Sequence, residues 1–437
     1  MAKETKAADL SIEEKLEQAL VVPGYEPYKI PDNWCWTNLK TVCNLDNGIK
    51  HNNESLVYFD AKTLREITEP VSRNSGVIVE KGQKVILVDG ENSGEVFVIP
   101  DRGYMGSTFR ILNISKQFDE MYIRYFIDIF REELKKNKIG STIPHLNKEL
   151  FYGLQFPLPP LPEQHRIVER IESLFSKLDE AKEKAQEVIN SFETRKAAIL
   201  HKAFSGELTA KWREENGVGI ESWERKRISE CCKLGSGGTP SRKKPNYYIG
   251  DIPWIKTGEI NWNTVNYSEE SITQEAIDNS SAKVYAPGAV LVAMYGMGIT
   301  RGKAAILGIE AATNQAVCVL QPKGYLFNRY LYFFFMCNYW DIREQAVGGN
   351  QLNLSATIIG KLNIDIPNLE EQYVITELLD SIIEKEYQTK QIAESIIDQI
   401  ETMKKAILAR AFRGELGTND PEEESAVELL KQILSGE

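Results

Sequence analysis

Between residues 167 and 199, apolar or small side chains fall at Ile167, Ile171, Leu174, Leu178, Ala181, Ala185, Val188, Phe192 and Ile199, mostly in alternating steps of four and three, with Arg195 on the same stripe. A seam repeating every seven residues over several heptads predicts a long helix that coils against a partner. A second seam runs through Ile375, Leu379, Ile382, Ala393, Ile396, Ile400, Met403 and Ile407, interrupted by Glu386 and Thr389 where the first has Leu178 and Ala181. Polar residues on a seam fix register at some cost in stability. Pro162 suits a first helical turn, Asn368 with Glu371 makes an N-cap and N3 acid, and Gly206 and Gly414 sit where the helices should stop. The helices are expected over 161–208 and 369–416. Roughly forty residues at about 1.5 Å each make each one roughly 60 Å long. Neither can leave its stripe in water, so the two are expected to pair antiparallel about a pseudo-twofold, a homodimeric coiled coil being the alternative.

Residues 28–160 and 209–368 read differently. Short runs such as "KVILVDG" (84–90), "EVFVIP" (95–100), "AVLVAMYG" (289–296) and "AVCVLQP" (316–322) are bounded by glycine and proline and predict strands. Each block then carries an aromatic-rich helix, "YIRYFIDIF" and "YLYFFFMCNYW". The second is too short to span a bilayer, and no signal-peptide pattern is visible, so a cytoplasmic chain is expected. The class is α+β, with an acidic N-terminal tail or helix over 1–27 and an acidic C-terminal one over 417–437.

The blocks are copies. "AILHKAFSGEL" (198–208) returns as "AILARAFRGEL" (406–416), and the same offset of 208 pairs Gly140 with Gly348, Leu146 with Leu354, Pro159 with Pro367, Glu163 with Glu371 and Gln164 with Gln372. Upstream, an offset of 189 pairs Trp34 with Trp223 and Cys43 with Cys232. The order is variable block, constant block, variable block, constant block. A kept frame with divergent loops puts distinct specificity in the loops.

The net charge is −11, with acid concentrated in the tails and basic clusters in the middle, a distribution compatible with nucleic acid at local sites. The richest loop, "GSGGTPSRKKPNYY", offers Gly235, Gly237 and Gly238 for close backbone approach to a ligand, and Thr239, Ser241, Arg242, Lys243 and Lys244 for phosphate or base edges. Lys256, Thr300, Arg301, Lys303, Asn314 and Gln315 extend this candidate DNA-binding set in the second block. In the first, the corresponding loops supply Lys50 and Asn52 in "NGIKHNNES" and Ser107, Thr108 and Arg110 in "GSTFR". Six cysteines form no C-x-x-C pair and all four histidines lie in the first half, so no zinc site is expected, only reduced, mostly buried thiols. "GMGITRGKA" lacks phosphate-loop spacing, and there is neither a G-x-S-x-G elbow nor an adenine-methylase motif. The chain is expected to bind rather than catalyse.

The order "PLPPLPEQHRIVERIESLFSKLD", long helix, "KAAILHKAFSGEL", and all of it again, resembles the specificity subunit of Type I restriction–modification systems, as does "GGTPSRKKPNYYIGDIPWIKTGEI" (237–260). "NLEEQ" in place of the proline-rich first approach is a small departure. The resemblance implies two α/β target recognition domains separated by two long antiparallel helices forming a coiled coil. Each domain would read one half of a bipartite asymmetric DNA sequence, and the helices would set the spacer. It also implies two methylase subunits docked on the repeated parts, with restriction subunits added. S-adenosylmethionine, ATP and magnesium would belong to those partners, with no cofactor on this chain. The acidic stretches "IEEKLEQAL" and "AVELLKQIL" are candidate docking surfaces, or else frayed tail helices. The competing reading is a coiled-coil protein scaffold that never touches DNA.

Overall fold

The structure, a computed structural model, describes residues 11–140, 144–296, 299–346 and 353–435. Gly348, the repeat partner of Gly140, lies outside them, as do Met297 and Gly298. The chain divides into two compact units, Met1–Ala185 with Ser395–Glu437, and Gln186–Glu394, so the division runs through both long helices.

Among the described residues the first unit contains nine strands: β1 (Cys35–Asn38), β2 (Cys43–Asp46), β3 (Lys50–Phe59), β4 (Val71–Val79), β5 (Lys84–Leu87), β6 (Val96–Val98), β7 (Gly103–Met105), β8 (Phe109–Ile114) and β9 (Gln155–Leu158). β2, β8, β5 and β6 make an antiparallel sheet, β3, β4 and β7 curl into a closed three-stranded barrel, and β1 pairs antiparallel with β9. The aromatic helix Glu120–Lys136 buries Tyr122, Ile123, Phe126 and Ile127. Helices Ile12–Ala19 and Ala426–Ser435 pack on each other, and Ala19, Ala426 and Leu430 join the unit's core. Neither is a frayed tail.

The second unit repeats this frame with β10 (Glu224–Arg227), β11 (Cys232–Ser236), β12 (Ile252–Ile255), β13 (Thr264–Val265), β14 (Ser271–Ile272), β15 (Val284–Tyr285), β16 (Val290–Ala293), β17 (Ala304–Leu307), β18 (Ala311–Thr313), β19 (Val317–Pro322) and β20 (Asn363–Ile366). β10 pairs with β20 as β1 does with β9, and the sheets run β11-β19-β16-β17-β13 and β14-β12-β18-β15. The aromatic helix Asn328–Cys337 is buried along most of its length.

The long helices span Leu161–Phe204 and Leu369–Ala411. Gly206 and Gly414 follow them with φ of 81° and 73°, the left-handed conformation that glycine adopts without Cβ strain. Within the first unit Lys182 meets Glu401 at 2.6 Å and Lys404 meets Asp179 at 2.5 Å. Within the second, Arg195 meets Glu386 at 2.8 Å and Phe192 packs on Tyr387 with ring centroids 4.9 Å apart. In both, rising numbers on one helix meet falling numbers on the other, so the pairing is antiparallel.

The first seam buries Ile167, Ile171, Ala185 and Phe192 and half-buries Leu174, Leu178, Val188 and Ile199, while Ala181 is exposed. On the second helix Ile375, Leu379, Ala393 and Ile400 are buried, and Ile382 and Ile407 are half-buried. Ile396 and Met403, expected on the seam, are exposed, and Ile397 and Lys404, one residue further along, are the better covered. A helix of 3.6 residues per turn drifts about 20° per heptad against a 3.5-residue repeat. The drift shows at Thr389, which is exposed and turns its hydroxyl to its own helix at Lys385 O, 2.7 Å away.

Each long helix starts on a buried Glu–Gln pair that explains the repeated letters. Trp34 Nε1 donates to Glu163 at 2.7 Å, and Trp223 Nε1 donates to Glu371 at 2.9 Å. Gln164 accepts from the Asp119 N–H at 3.0 Å and donates to Pro159 O, while Gln372 accepts from the Phe327 N–H at 2.7 Å and donates to Pro367 O. The glutamate thus holds the tryptophan that immediately precedes the first strand, and the glutamine holds the start of the aromatic helix, once in each unit.

Candidate nucleic-acid interface

In the first unit the polar stretch read as a loop is a strand. Lys50 and Asn52 are exposed on β3, which pairs antiparallel with β4 through Lys50↔Val77 and Asn52↔Ser75. Solvent on both faces of this ribbon removes the alternation that would have marked it as strand. Ser107 is exposed in the β7–β8 turn, and Arg110 lies half-buried on β8. Lys50, Asn52, Ser107 and Arg110 line one cavity of about 600 Å³, together with Tyr58 and Arg73. Thr108 does not line it; its carbonyl accepts from the Val88 N–H at 2.8 Å. The Arg73 guanidinium stands 3.4 Å from the centroid of the Tyr58 ring. Arg110 donates through one terminal nitrogen to Ser107 O at 3.1 Å and Phe109 O at 2.6 Å. Arg73 lies outside the sequence-predicted set, although its setting, "SRNSG", is the same kind of polar, glycine-closed run as the loops that supply that set.

In the second unit Thr239, Ser241, Arg242, Lys243 and Lys244 are all exposed on one loop. Arg242 pairs with Glu270 at 2.7 Å and lies over the rings of Tyr248 and Trp254, 4.0 and 5.1 Å from their centroids. Lys256 reaches Glu269 at 2.9 Å and Glu270 at 3.1 Å, so Glu270 joins Arg242 to Lys256. Its hydrogen bond with Arg242 holds the Glu270 carboxyl below its ordinary range, and bonding to Glu269 raises the Lys256 ammonium. Lys244 donates to Tyr247 Oη at 2.8 Å.

Each glycine of this loop lies against the protein's own atoms at the place a Cβ would occupy. A Cβ on Gly237 would stand 2.0 Å from Thr313 O, one on Gly238 would stand 2.3 Å from Ala282 N, and one on Gly235 would meet Tyr285 Oη at 2.5 Å. Asn314 shapes the same junction, accepting from the Ala316 N–H at 3.1 Å beside exposed Gln315. Thr300, Arg301 and Lys303 lie between β16 and β17. Arg301 O accepts from Arg343 at 2.6 Å, and Lys303 donates to Asn261 Oδ1 at 2.6 Å. Burial pushes the Lys303 ammonium down, and the nearby Arg343 adds to the effect. The six cysteines are free. Among the described residues no group of three His, Cys, Asp or Glu is placed to hold a metal ion, and no helix is long and apolar enough to cross a membrane.

Two copies of one α+β domain, each closed by its own long helix and each presenting cationic and amide side chains on a ribbon or loop, define a class of duplicated recognition subunits. A family model described as the Type I restriction modification DNA specificity domain matches residues 31–191 and 220–401, and the chain belongs to that family, whose role is DNA sequence recognition. The chain is 26% identical over 363 residues to the Type I restriction enzyme MjaVIII specificity subunit of Methanocaldococcus jannaschii, spanning 78% of this chain and 81% of that protein. It is 20% identical over 462 residues to the EcoKI specificity subunit of Escherichia coli strain K12, spanning 93% and 96%. The fold matches the crystal structure of the HsdS subunit from Thermoanaerobacter tengcongensis with a TM-score of 0.60 at 20% identity, over 89% of this chain and 99% of that one. A chain solved in work on assembly and conformational transition of the type I R-M system gives a TM-score of 0.69 at 20% identity, over 89% and 100%.

Proposed function

We propose that this chain is the non-catalytic, DNA-reading subunit of a cytoplasmic Type I restriction–modification complex. Each of its two domains reads one half of a bipartite asymmetric sequence, and the paired helices hold the unread spacer at fixed length. Two methylase subunits dock on the repeated parts, and restriction subunits add to that complex. S-adenosylmethionine, ATP and magnesium are bound by those partners. The observation that carries this reading is the duplication itself: the same Trp–Glu and Gln anchors, at equivalent positions, build two domains whose frames agree while their exposed polar surfaces differ. Candidate DNA contacts are Lys50, Asn52, Ser107 and Arg110 in the first domain and Thr239, Ser241, Arg242, Lys243, Lys244 and Lys256 in the second, with Thr108, Thr300, Arg301, Lys303, Asn314 and Gln315 in supporting positions.

A helical spacer discriminates by distance, whereas a flexible tether tolerates many spacings. The test is to replace residues 216–368 with another recognition domain and map methylated sites across the host genome. One changed half-site with an unchanged second half is the expected result. Changes in both halves would reject independent reading, and an absence of salt-dependent DNA binding by the assembled complex would favour the protein scaffold.

A further inference from the structure

The first domain carries a bulged polar ribbon beside a cationic cavity, and the two features together specify how it holds DNA. β3 and β4 are in register at Asn52↔Ser75 and again at Leu56↔Arg73, so Asn53, Glu54 and Ser55 face the single residue Asn74. Such a bulge re-aims side chains and is common beside functional sites. Asn53 is left-handed, with φ of 78°. Glu54 is tied back: its carboxylate pairs with Arg102 at 3.1 Å, and its carbonyl accepts from Tyr104 Oη at 3.0 Å. What remains exposed on the bulge is Asn52, Asn53, Ser55, Asn74 and Ser75, all neutral and hydrogen-bonding. The cavity alongside is lined by Lys50, Arg73 and Arg110 and, among the described residues, by no carboxylate. Stacking on Tyr58 fixes Arg73 in place, and the buried Arg110 Nε has no hydrogen-bond partner.

We infer that this domain engages duplex DNA through the bulged ribbon, with a backbone phosphate seated in the cavity on Lys50, Arg73 and Arg110 while Asn53 and Asn74 read base edges. A two-stranded ribbon fits the major groove, and a side-chain amide pairs bidentately with adenine. Three cations with no acid among them match a phosphate, which positions the protein without carrying sequence information. The inference rests on the DNA-reading role proposed above and adds which surface performs it and how the labour divides.

The test uses the assembled methylase complex with a duplex carrying its methylated sequence, and a scrambled duplex of equal length. Arg73→Gln and Lys50→Gln should weaken binding to both duplexes alike and flatten the log–log salt slope by about 0.9 each. Asn53→Gly keeps a residue at ease with positive φ. It should leave that slope unchanged while relaxing discrimination at one base pair of one half-site by about ten- to a hundred-fold. An unchanged slope in Arg73→Gln, or base discrimination untouched by both Asn53→Gly and Asn74→Ala, would overturn the assignment. If the unaltered complex itself shows no salt-dependent binding, the underlying role fails with it.

Discussion

Glu163 and Glu371 occupy equivalent, fully buried positions, yet their surroundings differ in charge, and that difference yields a sharp prediction. Glu371 accepts from Arg213 at 2.6 Å, Thr209 at 2.7 Å and Trp223 at 2.9 Å. Glu163 accepts from Trp34 at 2.7 Å, Asn419 at 2.9 Å and Thr418 at 3.3 Å. One cage contains a bonded cation and the other is made of neutral donors. In Glu371→Gln the Arg213 guanidinium, whose side chain is 10% exposed, loses its counter-charge, and stranding a buried ion costs about 3–5 kcal/mol. In Glu163→Gln no charge is stranded, and the loss is that of charge-assisted bonds, about 1.5–3 kcal/mol. The gap of about 2 kcal/mol is about thirty-fold in an opening equilibrium. Hydrogen exchange read by mass spectrometry reports such local opening. Peptides covering 206–223 and 369–376 in Glu371→Gln should exchange about thirty-fold further above wild type than peptides covering 33–36 and 163–170 in Glu163→Gln. Adding Arg213→Met to Glu371→Gln should recover part of the loss, because the stranded charge is gone. Equal acceleration in the two single variants, or no recovery in the double, would refute the charge argument.

The glycines of the second recognition loop give a steric test. Gly237→Ala should cost at least about 3 kcal/mol, since two backbone carbonyls block its Cβ, whereas Gly258→Ala, with nothing within 4 Å, should leave the melting temperature nearly unchanged. Asp60 caps a short helix by accepting from the backbone of Thr63 and Lys62, which hold its carboxyl below the ordinary 3.8. A depressed carboxylate stabilises the fold above its unfolded pKa and loses that contribution as pH falls through the folded value. Asp60→Asn, which still caps, should therefore differ most from wild type above about pH 4 and converge with it below, followed by thermal unfolding across that range.

The frame was readable because it obeys periodic rules: the seams, the glycine stops and the matched Glu–Gln letters all survive duplication. The phase of the second seam was not, since past Glu386 the drift that exposes Ile396 and Met403 depends on where the partner helix lies. The candidate site was readable only as residue types. Lys50 and Asn52 sit in a stretch whose turn-rich, mostly polar composition hides a strand, because the part of the ribbon wetted on both faces carries no alternation. Arg73 joins them only through the pairing of β3 with β4, a contact that no local pattern announces. The packing role of Gly237 and Gly238 was hidden for a related reason: the backbone they accommodate belongs to Thr313 and to Ser281 and Ala282, distant in the chain.

The first compact unit takes its opening 185 residues from the start of the chain and the remainder from Ser395 onward. Phe412, Ala426 and Leu430 belong to its core. On the ribosome this inverts the usual order of completion: the unit begun first is finished last, after the whole of the second has emerged. A premature stop near codon 395 would therefore spare the later-encoded domain and cripple the earlier one. Genetically, damage downstream of Ser395 reads out as a defect of the domain encoded upstream of Ala185.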